Sequence, residues 1–291
     1  MSITEHWFAK MGPPMALWMM IVNSLTSQFF RSRCSVSLLP RVLLCTMSMA
    51  LLSCKNAPPD PPEQSDQLLI AAASNLSEAF QQIGDDFKKQ TGIVIQFNFG
   101  ATAQLAQQIE HGAAFDLFAA ADVSHVDMLV RDGKLLPESR AIYARGKLAL
   151  WVPPGSRSNI SSLRDLENNS VRFIAIANPE VAPYGAAAEQ LLRSYSLWDQ
   201  LEPKLVRAEN VTAAKQMAAT GNADAAFTAY SLVFREQGTI IPLDGAGLAP
   251  IDQALGILTS SAQQQNAARF AEFVLRGPGR EILRASGYDP P

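Results

Sequence analysis

Cysteine is confined to one end of this chain. Of 291 residues only Cys34, Cys45 and Cys54 are cysteine, and none follows position 54. From Lys55 onward the sequence therefore offers no disulfide, no thiol nucleophile and no cysteine metal site. Histidine is almost as scarce, with only His111 and His125 beyond position 6. Charged residues make up 18% and the net charge is −3, with no basic run of the kind that follows a phosphate backbone. That composition argues against nucleic-acid binding. No internal repeat is present. The chain is long enough to bury a large core or to divide into two lobes.

The first 60 residues differ from the rest. Arg31, Arg33 and Arg41 precede an apolar run, Val42 to Ser53, too short to span a bilayer and laid out like an export signal. It ends in Leu51-Leu52-Ser53-Cys54, which resembles the bacterial lipobox, in which the cysteine is lipidated after cleavage. Residues 1–53 then read as a leader and 54–66, rich in proline and polar residues, as a tether. An ordinary signal with an incidental cysteine is the bland alternative. A second apolar patch, Met15 to Val22, reads as an over-extended start or as a retained membrane anchor. The leader carries Lys10, Arg31, Arg33 and Arg41 against one acid, Glu5, so its removal leaves a more acidic protein.

From Gln67 the chain alternates short β-rich runs with amphipathic helical ones. Strands are predicted over 67–73, 93–99, 116–120, 146–152, 171–176, 204–208, 224–228, 239–242 and 253–259. Helices are predicted over 75–90, 103–111, 123–132, 185–195, 212–220, 229–235, 262–275 and 278–286. The alternation implies α/β layers with mainly parallel sheets flanked by helices. Arg145-Gly146-Lys147 and the loose run Gly245 to Pro250 look like two crossings between lobes. Residues 67–145 and 251–291 would form the first lobe and 146–250 the second, with a hinged cleft between them.

Ala71-Ala72-Ala73-Ser74-Asn75-Leu76 is an apolar strand running into a helix. Glu78, Phe80, Ile83 and Phe87 follow at helical spacing, so Ser74 and Asn75 sit where the first N–H groups lack intrahelical partners. Such an end favours an oxyanion. The arrangement recurs at Thr102, Tyr184 and Val211, which implies four helix starts around one small anion. Each site alone also reads as structure. Asn75 with Glu78 has capping-box spacing, Thr102 can cap, Tyr184 can pack its Pro-rich turn, and Val211 has only its N–H to give.

The order and spacing of these pieces resemble the molybdate-binding (ModA-type) periplasmic proteins of ABC importers, within the type II solute-binding fold. The resemblance runs through Ala71 to Leu76, Phe99-Gly100-Ala101-Thr102, Asp116 to Asp122, Asn178-Pro179-Glu180, Ala182-Pro183-Tyr184-Gly185 and Ala208-Glu209-Asn210-Val211. It implies a two-lobed binding protein, outside the cytoplasm, that takes molybdate or tungstate and delivers it to a permease and its ATPase. It also implies no reaction, no cofactor and no cationic metal site; the protein is expected to be a monomer, with the lipid anchor at Cys54 resting on the lipobox. Carried over, Ser74 and Thr102 give hydroxyl donors from the first lobe and Asn75 a further donor. Tyr184 and Val211 give donors from the second. Some members use a strand tyrosine where this chain has Ala229. Tyr230 lies one step beyond, and its role is left open.

A site built only of OH and N–H donors suits a fully deprotonated dianion. A protonated oxyanion such as phosphate sets a hydrogen against a donor, at about 1–3 kcal/mol. Sulfate is a bare dianion, separable only by size. Three other readings compete. An enzyme would need a nucleophile, yet no Gly-x-Ser-x-Gly elbow surrounds Ser74. His111 reads as a helix end and His125 as an exposed helix face. A metal site would have to gather Asp116, Asp122 and His125, of which Asp122 reads better as a cap. Another solute, whether sulfate, thiosulfate or a small organic acid, would keep the fold, and an acid would call on Arg145 or Arg207.

Replacing the lipobox cysteine, Cys54→Ser, should release the protein into the soluble fraction on cell fractionation. An unchanged membrane fraction would place the anchor in the upstream apolar segments.

Overall fold

The computed structural model describes residues 67–243 and 248–291. The leader, the tether, Cys54 and part of the loose run before Pro250 lie outside the described residues. No helix among the described residues is long and apolar enough to cross a membrane.

Ten strands form two sheets among the described residues. The first uses β1 (Gln67–Ala73), β2 (Val94–Gly100), β3 (Leu117–Ala119), β4 (Ala141–Gly146) and β10 (Ile251–Ile257), in the order β2-β1-β3-β10-β4. The second uses β5 (Leu148–Val152), β6 (Ile174–Ala177), β7 (Leu205–Ala208), β8 (Ala225–Ala229) and β9 (Thr239–Leu243), in the order β7-β6-β8-β5-β9. Both sheets are mixed in the same way. Strands β2, β1 and β3 run parallel, as do β7, β6 and β8. The strands that carry the chain between sheets, β4 and β10 in one and β5 and β9 in the other, pair antiparallel. The chain crosses at Lys147 and again between Leu243 and Ile251.

In the first lobe α1 (Ser77–Thr91) buries Phe80, Ile83 and Phe87 on one face, the stripe that a 3.6-residue period gives. These rings meet α7 (Gln264–Leu275): Phe80 and Phe87 lie 6.1 and 5.3 Å from Phe270, edge to face, a preferred aromatic geometry. The other first-lobe helices are α2 (Thr102–Glu110), α3 (Ser124–Arg131) and α8 (Pro278–Ala285). In the second lobe α4 (Pro183–Ser194), the short α5 (Trp198–Leu201) and α6 (Val211–Ala219) flank the sheet. Strand β5 is buried at every position, as a central strand covered on both faces should be. Gly185 lies so near β6 that a Cβ would collide with the Ala177 carbonyl.

Three departures from the sequence reading have local causes. Residues 141–146 form a strand of their own, because they pair with β10 before the chain turns into β5. The strand predicted from 171 begins at Ile174, since the N–H groups of Arg172 and Phe173 donate to Asp224 Oδ2 at 2.8 and 3.1 Å. The helix predicted over 229–235 is only a 3-10 turn, Tyr230–Leu232. There the Tyr230 N–H still donates to the Lys147 carbonyl at 2.9 Å, which holds the backbone beside β5.

Candidate functional site

Two neighbouring parallel strands in each sheet end at the cleft. β1 runs into a 3-10 turn, Ser74–Leu76, that continues as α1, and β2 runs through Ala101 into α2. In the other lobe β6 leads to α4 and β7 through Asn210 to α6. Ligands in open α/β sheets lie at such carboxyl ends.

Ser74, Asn75, Thr102, Tyr184 and Val211 all line one cavity, walled between them by Ala73, Ala101, Ala121 and Ala182. Each of the five is at most 5% exposed. Alanine walls let the backbones approach one another. The cavity measures about 10 Å3, near the minimum that holds one water-sized group, so the two lobes leave only a narrow space there. No charged side chain lines it.

The local chemistry leaves protons facing this space. The turn at Ser74 has no side-chain cap, and the Ser74 hydroxyl has no partner among the described residues. Thr102 Oγ1 accepts the Ala121 N–H at 3.1 Å. A hydroxyl has one proton and two lone pairs, so Thr102 is held in place while its proton stays free. Pro183 opens α4, and the Tyr184 N–H, second in the helix, has no acceptor four residues back. Val211 opens α6 in the same way. There the Asn210 side chain caps Ala213 N at 2.9 Å and so turns away from the Val211 N–H.

Asn75 and Tyr184 are tied inward. Asn75 Nδ2 donates to Gln253 Oε1 and to Tyr288 Oη, both at 3.0 Å, and Asn75 Oδ1 is a buried atom with no partner. Gln253 Nε2 donates to Tyr184 Oη at 3.0 Å, so the Tyr184 hydroxyl faces the hinge. The capping box expected between Asn75 and Glu78 is absent from the start of α1. Composition gave no pointer to Gln253, Tyr143 or Tyr288, which complete this network. The one signal in the sequence is a glutamine that opens the apolar end of a strand, Ala254 to Ile257.

The lobes also touch directly. Thr212 Oγ1 donates to the Ser74 carbonyl at 2.9 Å and Ala103 N to the Val181 carbonyl at 3.1 Å. Lys215 Nζ lies 3.5 Å from Glu78.

The remaining candidates lie elsewhere. Tyr230 packs against Phe234 and under Lys147. Arg145 pairs with Asp252 at 2.7 Å and Arg207 with Glu202 at 3.5 Å, both outside the cavity. Asp116 accepts from Leu69 N and from Ser261 Oγ. Asp122 caps His125 N at 3.0 Å and pairs with its ring, and that hydrogen bond raises the imidazole pKa. His111 ends α2. No group of three potential metal ligands occurs among the described residues.

The chain belongs to the bacterial extracellular solute-binding proteins, whose family profile matches residues 68–289. It is 34% identical over 230 residues to the molybdate-binding protein ModA of Rhodobacter capsulatus, covering 78% of this chain and 90% of that protein. It is also 34% identical over 254 residues to ModA of Azotobacter vinelandii, covering 84% and 96%. The solved periplasmic molybdate-binding protein of Azotobacter vinelandii superposes with a TM-score of 0.73 at 33% identity, over 77% of this chain and 99% of that one. The fold is therefore the two-lobed periplasmic binding protein fold.

Burial pushes the hydroxyl pKa of Tyr143, Tyr184 and Tyr288 well above the ordinary tyrosine value. Below about pH 10 these groups are neutral in both folded and unfolded chains. Above it the unfolded chain ionises first, so stability must fall as pH rises. Thermal melts between pH 8 and 11 should show that decline, with a shallower slope in Tyr288→Phe. An equal slope in the two proteins would remove Tyr288 as a source.

Proposed function

We propose that the protein captures molybdate, and tungstate with it, outside the cytoplasm and passes it to an ABC permease and its ATPase. The observation that carries this reading is the uncharged cavity, set where Ser74, Thr102, Tyr184 and Val211 leave OH and N–H protons without protein acceptors. Asn75 joins as a fifth ligand. Donors alone satisfy a dianion with no proton of its own, and helix starts stabilise its charge without a neighbouring cation. Likeness to two ModA proteins supports the choice of ion.

In this reading the protein performs no reaction and holds no cofactor. It acts as a monomer, and lobe closure is the functional event. Residues 67–145 and 251–291 move against 146–250. After export residues 1–53 are removed, and a diacylglyceryl group on Cys54 holds the protein to a membrane through the tether 54–66. Two acyl chains anchor where a single myristoyl chain is marginal. The placement of Arg145 and Arg207 favours an inorganic ion over an organic acid.

Titration calorimetry on the exported protein with molybdate, tungstate, sulfate and phosphate tests the assignment. Tight binding of the first two and weak binding of the others is expected, while preference for sulfate would overturn the choice of ion. Two variants separate binding from folding. Ser74→Ala removes a proton with no other use, so affinity should fall about tenfold with the unfolding midpoint unchanged. Thr102→Val should lower affinity similarly and also cost about 1–3 kcal/mol of stability, because it strands the Ala121 N–H. Unchanged affinity in both would take the first lobe's hydroxyls out of the site.

A further inference from the structure

Gln253 is fully buried in strand β10, where it meets polar groups from both lobes. The ladder between β10 and β4 slips between Gln253 and Ala254, a bulge of the kind that re-aims a side chain. Its amide reaches Asn75 and Tyr143 in the first lobe and Tyr184 in the second. Gly146, the last residue of β4, leaves room for this bridge. A Cβ there would collide with both Tyr184 Oη and Gln253 Nε2.

Counting protons shows that the network has two settings. In the first, described above, Tyr143 Oη has one proton but faces two acceptors, the Ala120 carbonyl at 2.9 Å and Gln253 Oε1 at 3.0 Å. Asn75 Oδ1 has no donor at all. The nitrogen and oxygen of an amide occupy equivalent positions, and the surrounding network decides between them. Half-turns of both amides give the second setting. Gln253 Nε2 then donates to Tyr143 Oη and to Asn75 Oδ1, the Tyr143 proton goes to Ala120, and the Tyr184 hydroxyl donates to Gln253 Oε1. Tyr288 gives up its 2.7 Å bond to the Asn75 carbonyl and donates to Asn75 Oδ1 instead, and Ser231 Oγ, 3.4 Å away, turns from Tyr288 to serve that carbonyl. Both amide oxygens now have donors, and Asn75 Nδ2 takes the place of the partnerless oxygen. Turning one amide alone sets like against like at the Asn75–Gln253 contact.

We propose that Gln253 is the positioning residue of this site: it fixes which end of the Asn75 amide faces the cavity, and an oxyanion draws both amides into the setting that presents Asn75 Nδ2. The inference rests on the oxyanion reading above. It adds that the donor in the first lobe and Tyr184 in the second are set together, through a side chain that never touches the ion.

The test is titration of the exported protein with sodium molybdate in wild type, Gln253→Met, Asn75→Ala, the double variant and Gln253→Glu. Gln253→Met should weaken binding about tenfold, and so should Asn75→Ala. The double variant should be no more than about twofold weaker than the weaker single one, because the two residues act as a unit. Fully additive losses would overturn the proposal. The carboxylate introduced by Gln253→Glu only accepts, so it pins Asn75 with its oxygen toward the cavity. Its affinity should rise as pH falls and the carboxyl gains a proton, while the wild type stays flat between about pH 6 and 8, where no wild-type network group titrates. If Gln253→Met does not fold, the pH profile of Gln253→Glu decides alone, and a profile as flat as wild type overturns the proposal. If wild type prefers another of the four oxyanions, the ion assignment fails and the cycle is read with that ion. If it binds none, both readings fall.

Discussion

A doubly charged ion cannot be buried without strong compensation, and among the described residues no cationic side chain lines the cavity. Everything else about the site follows from that constraint. Compensation has to come from the N–H groups that a helix start leaves unpaired, and one such start is too weak. Several must converge, so strands β1 and β2 in one lobe and β6 and β7 in the other all end at the same point. Their backbones must approach closely, hence alanine at 73, 101, 121 and 182. The glycine at 185 serves the same end by letting α4 lie against β6. Parallel strands deliver helix starts to one edge of a sheet. Antiparallel partners do not, which is why the parallel halves of both mixed sheets face the cavity and the crossing strands lie behind it.

The same economy governs how the lobes meet. Some of the bonds that bridge them use residues at the helix starts that line the site. Thr212 sits in the first turn of α6 and reaches the carbonyl of Ser74. Ala103 sits in the first turn of α2 and reaches the carbonyl of Val181, just ahead of α4. Helix starts therefore touch the opposite lobe and the cavity together. An ion held by donors from both lobes adds to contacts that are individually modest, about 0.5–1.5 kcal/mol each. Closure can then depend on the ion, as population-shift arithmetic requires. The Lys215–Glu78 contact is half-exposed and adds little.

Much of this was legible in the sequence, for one physical reason. Helix starts that follow apolar strands leave a local signature: small residues, then a hydroxyl or amide, then a helical stripe. The stretches at Ser74, Thr102, Tyr184 and Val211 each carry it, and all four residues line one cavity. What stayed hidden was long-range. β4 is only half-buried, and its pairing with β10 spans more than a hundred residues, so no local pattern marks it. Gln253, Tyr143 and Tyr288 come from three distant segments, and their common contact exists only in the folded chain. Sequence shows the chemistry of the Asn75 amide but not that its nitrogen meets Gln253 and Tyr288. The helix expected after Ala229 failed for a related reason: propensity favoured it, but the bond from Tyr230 to Lys147 holds the backbone to its neighbouring strand.

The position of the arginines completes the argument about what the site accepts. Arg145 stands one residue before the glycine that makes room for Tyr184 and Gln253, yet its guanidinium is held by Asp252 on the far side of the ladder. Arg207 ends in solvent beside Glu202. A guanidinium turned into the cavity would add attraction for any anion, protonated or not, and would blur the difference between them. Neutral donors discriminate more sharply. Each needs a lone pair opposite it, so an ion that brings its own proton leaves a buried donor unanswered. Selectivity against protonated oxyanions thus follows from excluding positive charge as much as from supplying N–H and OH groups.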